Sequence, residues 1–356
     1  MLSRTVLLLG ALLTPVPAVS QIAADDIYVD PKPFGPRDAS LPWHVVFSPD
    51  GKWAGIVDGH GRLSVDIFDV STQRAVWSSS RENKKFAHRG VFAANSRRFV
   101  TVAGDDLLLL ALSEDGWKTE KKIPLGFETV WPTYPAPVSL SADGEKAVFV
   151  DRGHVWRVSL INGKVERVAS TANDVFHAYI LPDDILAVVS AQKFQTRLIP
   201  EQGPAEELPG VLLNPSPDGS LWLVATDLHK FDMGSRHEKR EYRLALAILE
   251  AKSMKEISSF ELRSSGQKEK GKYRRRLLIA AEFSTDNKYL VTALGTGFIE
   301  IRETQTGEVI QRIDTYRDLN YAIGAAFSPD GSLLLTGGRN AGVLRWSRAK
   351  QAGEGK

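Results

Sequence analysis

The sequence predicts an all-β chain: a seven-bladed β-propeller of four-stranded antiparallel blades, its ring closed by an N-terminal strand. Two observations predict it. One turn motif recurs along the chain, and each copy introduces the same order of short strands. Ser48-Pro49-Asp50-Gly51 returns letter for letter as Ser216-Pro217-Asp218-Gly219 and Ser328-Pro329-Asp330-Gly331. Degenerate copies are Ala93-Ala94-Asn95-Ser96, Ser141-Ala142-Asp143-Gly144, Leu181-Pro182-Asp183-Asp184 and Ser284-Thr285-Asp286-Asn287. Aligned on Asp or Asn they fall at 50, 95, 143, 183, 218, 286 and 330, most of them 35 to 48 residues apart. A fixed period in this range marks stacked supersecondary units that share one continuous core.

The elements follow in order. In the first repeat His44 to Phe47 is strand A, Trp53 to Val57 strand B, Leu63 to Phe68 strand C, and Ala75-Val76-Trp77 strand D. Pro presets φ and Gly accepts positive φ, so Pro-Asp-Gly between A and B is a turn. Asn162-Gly163 and Thr306-Gly307 sit between alternating strands and read as C–D hairpins. Ser113-Glu114-Asp115-Gly116-Trp117 reads as another. The last repeat has Ala322 to Ser328, Leu333 to Thr336 and Val343 to Trp346, but no fourth strand. A spare short strand at 26–30, containing Ile27-Tyr28-Val29, is expected to supply it, because an unpaired seam is a liability. Trp43, Trp53, Trp77, Trp156, Trp222 and Trp346 lie in or beside strands and are expected in the core between blades.

Phe-Ser-Pro-Asp-Gly followed by a hydrophobic strand and a Thr-Gly hairpin, as in Glu303-Thr304-Gln305-Thr306-Gly307-Glu308, resembles bacterial WD-repeat and TolB-like propellers over roughly residues 40 to 347. Only Phe68-Asp69 approximates the Trp-Asp dipeptide of such repeats, and no blade carries a clear Gly-His partner. The resemblance implies a propeller and, in many members, a protein-binding scaffold.

Residues 1–20 differ from the rest. Arg4, the apolar run from Val6 to Leu13, and Ala18-Val19-Ser20 match the three regions of a cleaved signal peptide. An uncleaved N-terminal strand or helix is the alternative. The expected division is a signal peptide at 1–20, a propeller at 21–347 and a flexible tail at 348–356. The chain has no cysteine, which excludes disulfides, thiolate catalysis and Cys-ligated zinc. No Asn-x-Ser/Thr sequon with a non-proline middle residue occurs either. The expected location is a bacterial periplasm or extracellular space, with no transmembrane anchor. Net charge is +2, so no bulk attraction to nucleic acid follows, and no nucleic-acid partner is expected.

The A–B turns are short and alike, which reads as structural. The D–A and B–C loops open on the other face, where variable loops on a rigid frame concentrate function. The 68-residue gap from Asp218 to Asp286 places two long loops there, in the fifth blade. Asp227 to Arg243 is its B–C loop, with His229, Arg236 and His237. Arg263 to Arg276 is the following D–A loop, with Arg263, Lys268, Lys270, Lys272, Arg274, Arg275 and Arg276 against Glu269. Seven cations less one anion give +6 over these fourteen residues, and Tyr273 lies among them. Such a run suits an anionic partner, a protein face or an envelope polymer such as lipopolysaccharide. It equally suits a solvated loop.

The seven histidines also map to this face: His60 and His154 to B–C loops, His88 to a D–A loop, His44 and His177 near the starts of A strands, His229 and His237 to the insertion. His60 and His154 are the candidates for a metal or acid–base site at the axial mouth, although no spacing here is a metal motif. No Gly-x-Ser-x-Gly elbow, P-loop or His-Glu-x-x-His helix occurs, and no cofactor is expected. The expected function is a non-catalytic exported scaffold. The alternative is a propeller hydrolase, lyase or lactonase with a metal or histidine site at the mouth.

Overall fold

The computed structural model describes residues 27–35, 42–58, 64–82, 90–127, 129, 138–170, 175–190, 194–227, 242–264, 278–294, 298–314, 322–338 and 342–349. Their strands form seven four-stranded antiparallel sheets. The N-terminal strand β1 is Tyr28–Phe34. Blade 1 is β2 (Pro42–Phe47), β3 (Trp53–Asp58), β4 (Val65–Asp69) and β5 (Arg74–Ser78). Blade 2 is β6 (Val91–Phe92), β7 (Arg98–Ala103), β8 (Asp106–Ser113) and β9 (Gly116–Pro124). Blade 3 is β10 (Ser139–Leu140), β11 (Lys146–Asp151), β12 (His154–Ser159) and β13 (Val165–Ser170). Blade 4 is β14 (Val175–Ile180), β15 (Leu186–Ser190), β16 (Gln195–Ile199) and β17 (Glu206–Pro209). Blade 5 is β18 (Val211–Pro215), β19 (Leu221–Asp227), β20 (Tyr242–Glu250) and β21 (Glu256–Ser264). Blade 6 is β22 (Leu278–Phe283), β23 (Tyr289–Leu294), β24 (Phe298–Glu303) and β25 (Val309–Asp314). Blade 7 is β26 (Ala322–Phe327), β27 (Leu333–Gly338) and β28 (Gly342–Arg348), with β1 as its outer strand.

Alternation along each strand gives every sheet two apolar faces, and those faces pack in the seams between blades. Phe99, Leu110 and Trp117 of blade 2 meet Ile67 and Trp77 of blade 1. Leu212, Leu223 and Leu246 of blade 5 pack with Tyr179 and Leu208 of blade 4 and Phe283 of blade 6. First strands of neighbouring blades touch, β22 with β26 and β26 with β2, so these strands surround the axis. Of the tryptophans expected in the core, Trp77, Trp222 and Trp346 are buried, and Trp53 and Trp156 pack partly buried against it. The side chain of Trp43 lies outside the described residues. Trp346 donates its indole N–H to Thr336 Oγ1 at 2.8 Å, which satisfies a polar atom buried in the sheet.

Blade 6 breaks the apolar rule. In β24 Arg302 faces Leu290, the register position that Trp346 holds opposite Leu334 in blade 7 and Phe68 opposite Ala54 in blade 1. Its guanidinium is buried, pairs with Glu300, donates to the Gly307 carbonyl at 2.8 Å and lies 4.3 Å over the Phe260 ring of blade 5. Arg312 pairs with the other oxygen of Glu300. Blade 6 thus holds a buried ion pair at a position that is aromatic in blades 1 and 7.

The closing strand runs further than the expected 26–30. It continues through Pro31 and Pro33 to Phe34, pairing Tyr28 with Arg348 and Phe34 with Val343 across a bulge between Val29 and Lys32. Proline is tolerated because β1 is an edge, where missing donors break no further ladder. Phe34 is buried beside Phe68, and Tyr28 is buried beside Phe327. Gln311 of blade 6 accepts from the Tyr28 backbone N–H at 2.9 Å and donates to its carbonyl at 2.8 Å, imitating one more strand residue. The Tyr28 hydroxyl donates to the Gly331 carbonyl at 2.8 Å, and burial raises its pKa above the usual phenol range.

Deleting residues 21–34 is expected to lower the melting temperature by more than 5 °C, since it removes two buried aromatics and opens the seam. Gln311→Ala should cost about 2 kcal/mol by leaving two backbone groups unpaired. Thermal and urea unfolding measure both, and an unchanged midpoint after the deletion would contradict the closure role.

Candidate functional site

The two faces of the ring are built differently. On the A–B face five turns share one hydrogen-bond pattern. Ser48 Oγ donates to Asp50 Oδ1 at 2.6 Å and accepts from the Trp53 N–H at 3.0 Å, while Gly51 N–H reaches the Ser48 carbonyl at 2.8 Å. Ser141 with Asp143, Ser216 with Asp218, Ser284 with Asp286 and Ser328 with Asp330 repeat the Ser–Asp bond. The final turn residue has positive φ: Gly51 at 71°, Gly219 at 71° and Asn287 at 57°. Blade 4 departs, with Asp183 and Asp184 themselves at positive φ.

These turns also tie blades together. The Asp50 N–H donates to Ser96 Oγ at 2.9 Å, and Asn287 Nδ2 donates to Asp218 Oδ2 at 2.9 Å. Lys146 Nζ bonds Asp184 at 2.7 Å and Glu201 at 2.7 Å, and these partners, Asp184 first, hold its pKa above the usual lysine range. A Cβ on Gly219 would come within 2.4 Å of Pro182, so glycine is required there for steric reasons as well as for φ. Burial opposes ionisation of Asp218, but bonds from Asn287, Ser216 and Ser220 outweigh it and bring its pKa down to about 2. This face is occupied in holding the ring together.

The opposite face collects strand ends and long segments. β19 ends at Asp227 and β20 starts at Tyr242; β21 ends at Ser264 and β22 starts at Leu278. Tyr242 pairs with Ser264 and Arg243 with Arg263, so segments 228–241 and 265–277 leave blade 5 side by side at one edge. Arg263 therefore belongs to β21 and not to the loop, because the β20–β21 ladder persists to its end. Arg243, its register partner, is absent from the sequence-based candidates; only pairing across strands marks it. Lys268, Lys270, Lys272, Tyr273, Arg274, Arg275, Arg276, His229, Arg236 and His237 lie outside the described residues, as does His60.

His154 is not a loop residue. It opens β12, pairs in register with Asp151, and sits edge-on to Trp156 at 6.4 Å. The hairpin turn is tighter than sequence suggests because Arg152 and Gly153 both take positive φ. Asp151 is buried, with Arg152 Nε at 3.6 Å. His177, in β14, is buried beside Tyr179. Among the described residues no three His, Asp or Glu side chains converge as metal ligands, and no helix is long and apolar enough to cross a membrane.

No family model matches the chain, and no curated protein matches it. Solved structures do. The β-propeller domain of Myceliophteria thermophila Cps50 (Swd1) superposes with a TM-score of 0.65 at 12% identity, covering 90% of this chain and 99% of that one. Kuenenia stuttgartiensis hydrazine synthase superposes with a TM-score of 0.60 at 15% identity, covering 88% and 96%. The chain is a seven-bladed β-propeller, with a WD-repeat-like fold. At these identities the likeness is one of fold, and a fold alone does not carry an activity.

The A–B face yields a pH prediction. Asp218 is held below its ordinary value, so its contribution is complete above about pH 4 and lost as pH falls toward 2. Solvent screening at this exposed carboxylate keeps it to about 1 kcal/mol. Asp218→Ala should lose that amount at pH 7 in urea unfolding, and the difference from wild type should shrink as pH falls through about 2. A constant difference at both pH values would contradict the ionised role.

Proposed function

We propose that the protein is a non-catalytic binding scaffold of the bacterial WD-repeat or TolB-like kind, exported to the periplasm or beyond. It engages an anionic envelope polymer or protein face through the two insertions of blade 5. The pairing of Tyr242 with Ser264, which roots both insertions at one edge, carries this reading. The +6 run of 263–276 and the segment with Arg236, His229 and His237 are both rooted on these paired strand ends. A rigid frame with its other face committed to blade-to-blade bonds leaves this edge as the variable one. Export is supported by the signal-like residues 1–20.

The probe is purified lipopolysaccharide, titrated at several salt concentrations against the full mature chain. Affinity is expected to fall steeply with salt, because exposed charges more than a Debye length apart are screened. Arg274→Glu, Arg275→Glu and Arg276→Glu together should weaken binding at least tenfold and flatten the salt dependence. Equal affinity of the triple variant would refute the assignment of this edge.

A further inference from the structure

One register position holds arginine in three blades. Arg157 of β12, Arg197 of β16 and Arg345 of β28 face Val148, Val188 and Leu335, each five positions after the Asp of its turn at 143, 183 and 330. What stands across the outer ladder differs. Arg157 lies opposite Glu166, and Arg197 opposite Glu207. Arg345 lies opposite Lys32 of the closing strand.

Blade 3 shows what such an arginine does when an acid faces it. Arg157 Nε donates to Glu166 Oε1 at 2.7 Å, and Nη2 reaches the same oxygen at 2.5 Å. Lys164 Nζ holds the other oxygen at 2.9 Å. One carboxylate thus sits between two cations.

Blade 7 has the two cations and a lysine where the acid stands in blade 3. Like charges directly opposite in a ladder destabilise it. Lys32 is exposed and Arg345 is half-buried. Among the described residues the Arg345 guanidinium forms no ion pair, and its Nε is buried without an acceptor. That atom is the counterpart of the one that Arg157 turns to Glu166. A buried donor left unpaired costs free energy. The stem of Arg345 is flanked on the same face by Leu335 and Val343, which are buried with Phe68 and Ile56 of blade 1. The two cations therefore lie along the seam between blades 7 and 1, with Lys32 on the solvent side. A guanidinium edge with a second cation across from it matches a carboxylate, as blade 3 demonstrates.

We propose that Arg345 and Lys32 form a binding site for a small carboxylate, which sits between them as Glu166 sits between Arg157 and Lys164. Lys32 belongs to β1 and Arg345 to β28, so the ligand joins the closing strand to the last strand of the ring. Its binding stabilises ring closure by mass action. The site is independent of the blade 5 edge.

The full-length protein is melted in rising concentrations of sodium succinate, with sodium chloride at matched ionic strength as the reference, so that screening is equal in both. A parallel series uses sodium phosphate. The melting temperature should rise by about 2 °C in succinate and then saturate. In Arg345→Gln the saturable part should disappear, leaving only the unsaturated rise that excluded salts give to any protein. Lys32→Glu sets an acid opposite Arg345, as in blade 3. It should raise the urea midpoint in chloride alone and increase the half-saturating succinate concentration at least tenfold. Joint reversal of Arg274, Arg275 and Arg276 to Glu should leave the succinate response as in wild type, which separates this site from the basic run. The same saturable response in wild type and Arg345→Gln overturns the site, and so does a saturable response to phosphate with none to succinate. If Arg345→Gln does not fold, Lys32→Glu decides: a midpoint and a succinate response both equal to wild type overturn the proposal.

Discussion

The pairing of β1 with β28 is the constraint on which the ring depends. Each blade buries its faces only against its neighbours, so a ring lacking one outer strand exposes two seams and one sheet edge. The chain closes that gap with residues from its opposite end. Tyr28 then meets four residues of the ring at once: its backbone pairs with Arg348 in register and bonds the Gln311 side chain, its hydroxyl meets Gly331, and its ring meets Phe327. Blades 6 and 7 and the two ends of the described chain are joined at one residue.

Closure divides the molecule into a committed face and an available one. Ser–Asp turns use their side chains on their own backbone and on the next blade, as Asn287 does with Asp218. Residues held in this way are poor candidates for recognition, whatever their repetition in the sequence suggests. The other face receives strands at their entry, where four ladders slip by one residue and where both long segments of blade 5 begin.

Much of the fold was legible because its signals are local. Pro-Asp-Gly fixes a turn within four residues, and Asn162-Gly163 fixes a hairpin. The order of strands then repeats. Less of the candidate site was legible. Turn chemistry puts Arg263 and His154 in loops, yet each is held in a strand by register partners, Arg243 in one case and Asp151 and Ser170 in the other. Nothing local in the sequence marks the charged triad of Glu300, Arg302 and Arg312, since the Phe260 ring over Arg302 is in place only once blades 5 and 6 meet. Bulges were invisible for the same reason: a skipped residue is a property of two strands in register, not of either alone.

By itself the sequence determined the number of blades, the strand order, the turn chemistry and the need for a closing strand at the N-terminus. These follow from dihedral preferences and alternation, which act over a few residues. Only the tertiary structure decided how far β1 extends, which strand ends lie side by side, and which inner strands bulge. Those depend on hydrogen-bond register and on packing between elements far apart in the chain, where the free energy of one residue is set by neighbours its own sequence context does not name.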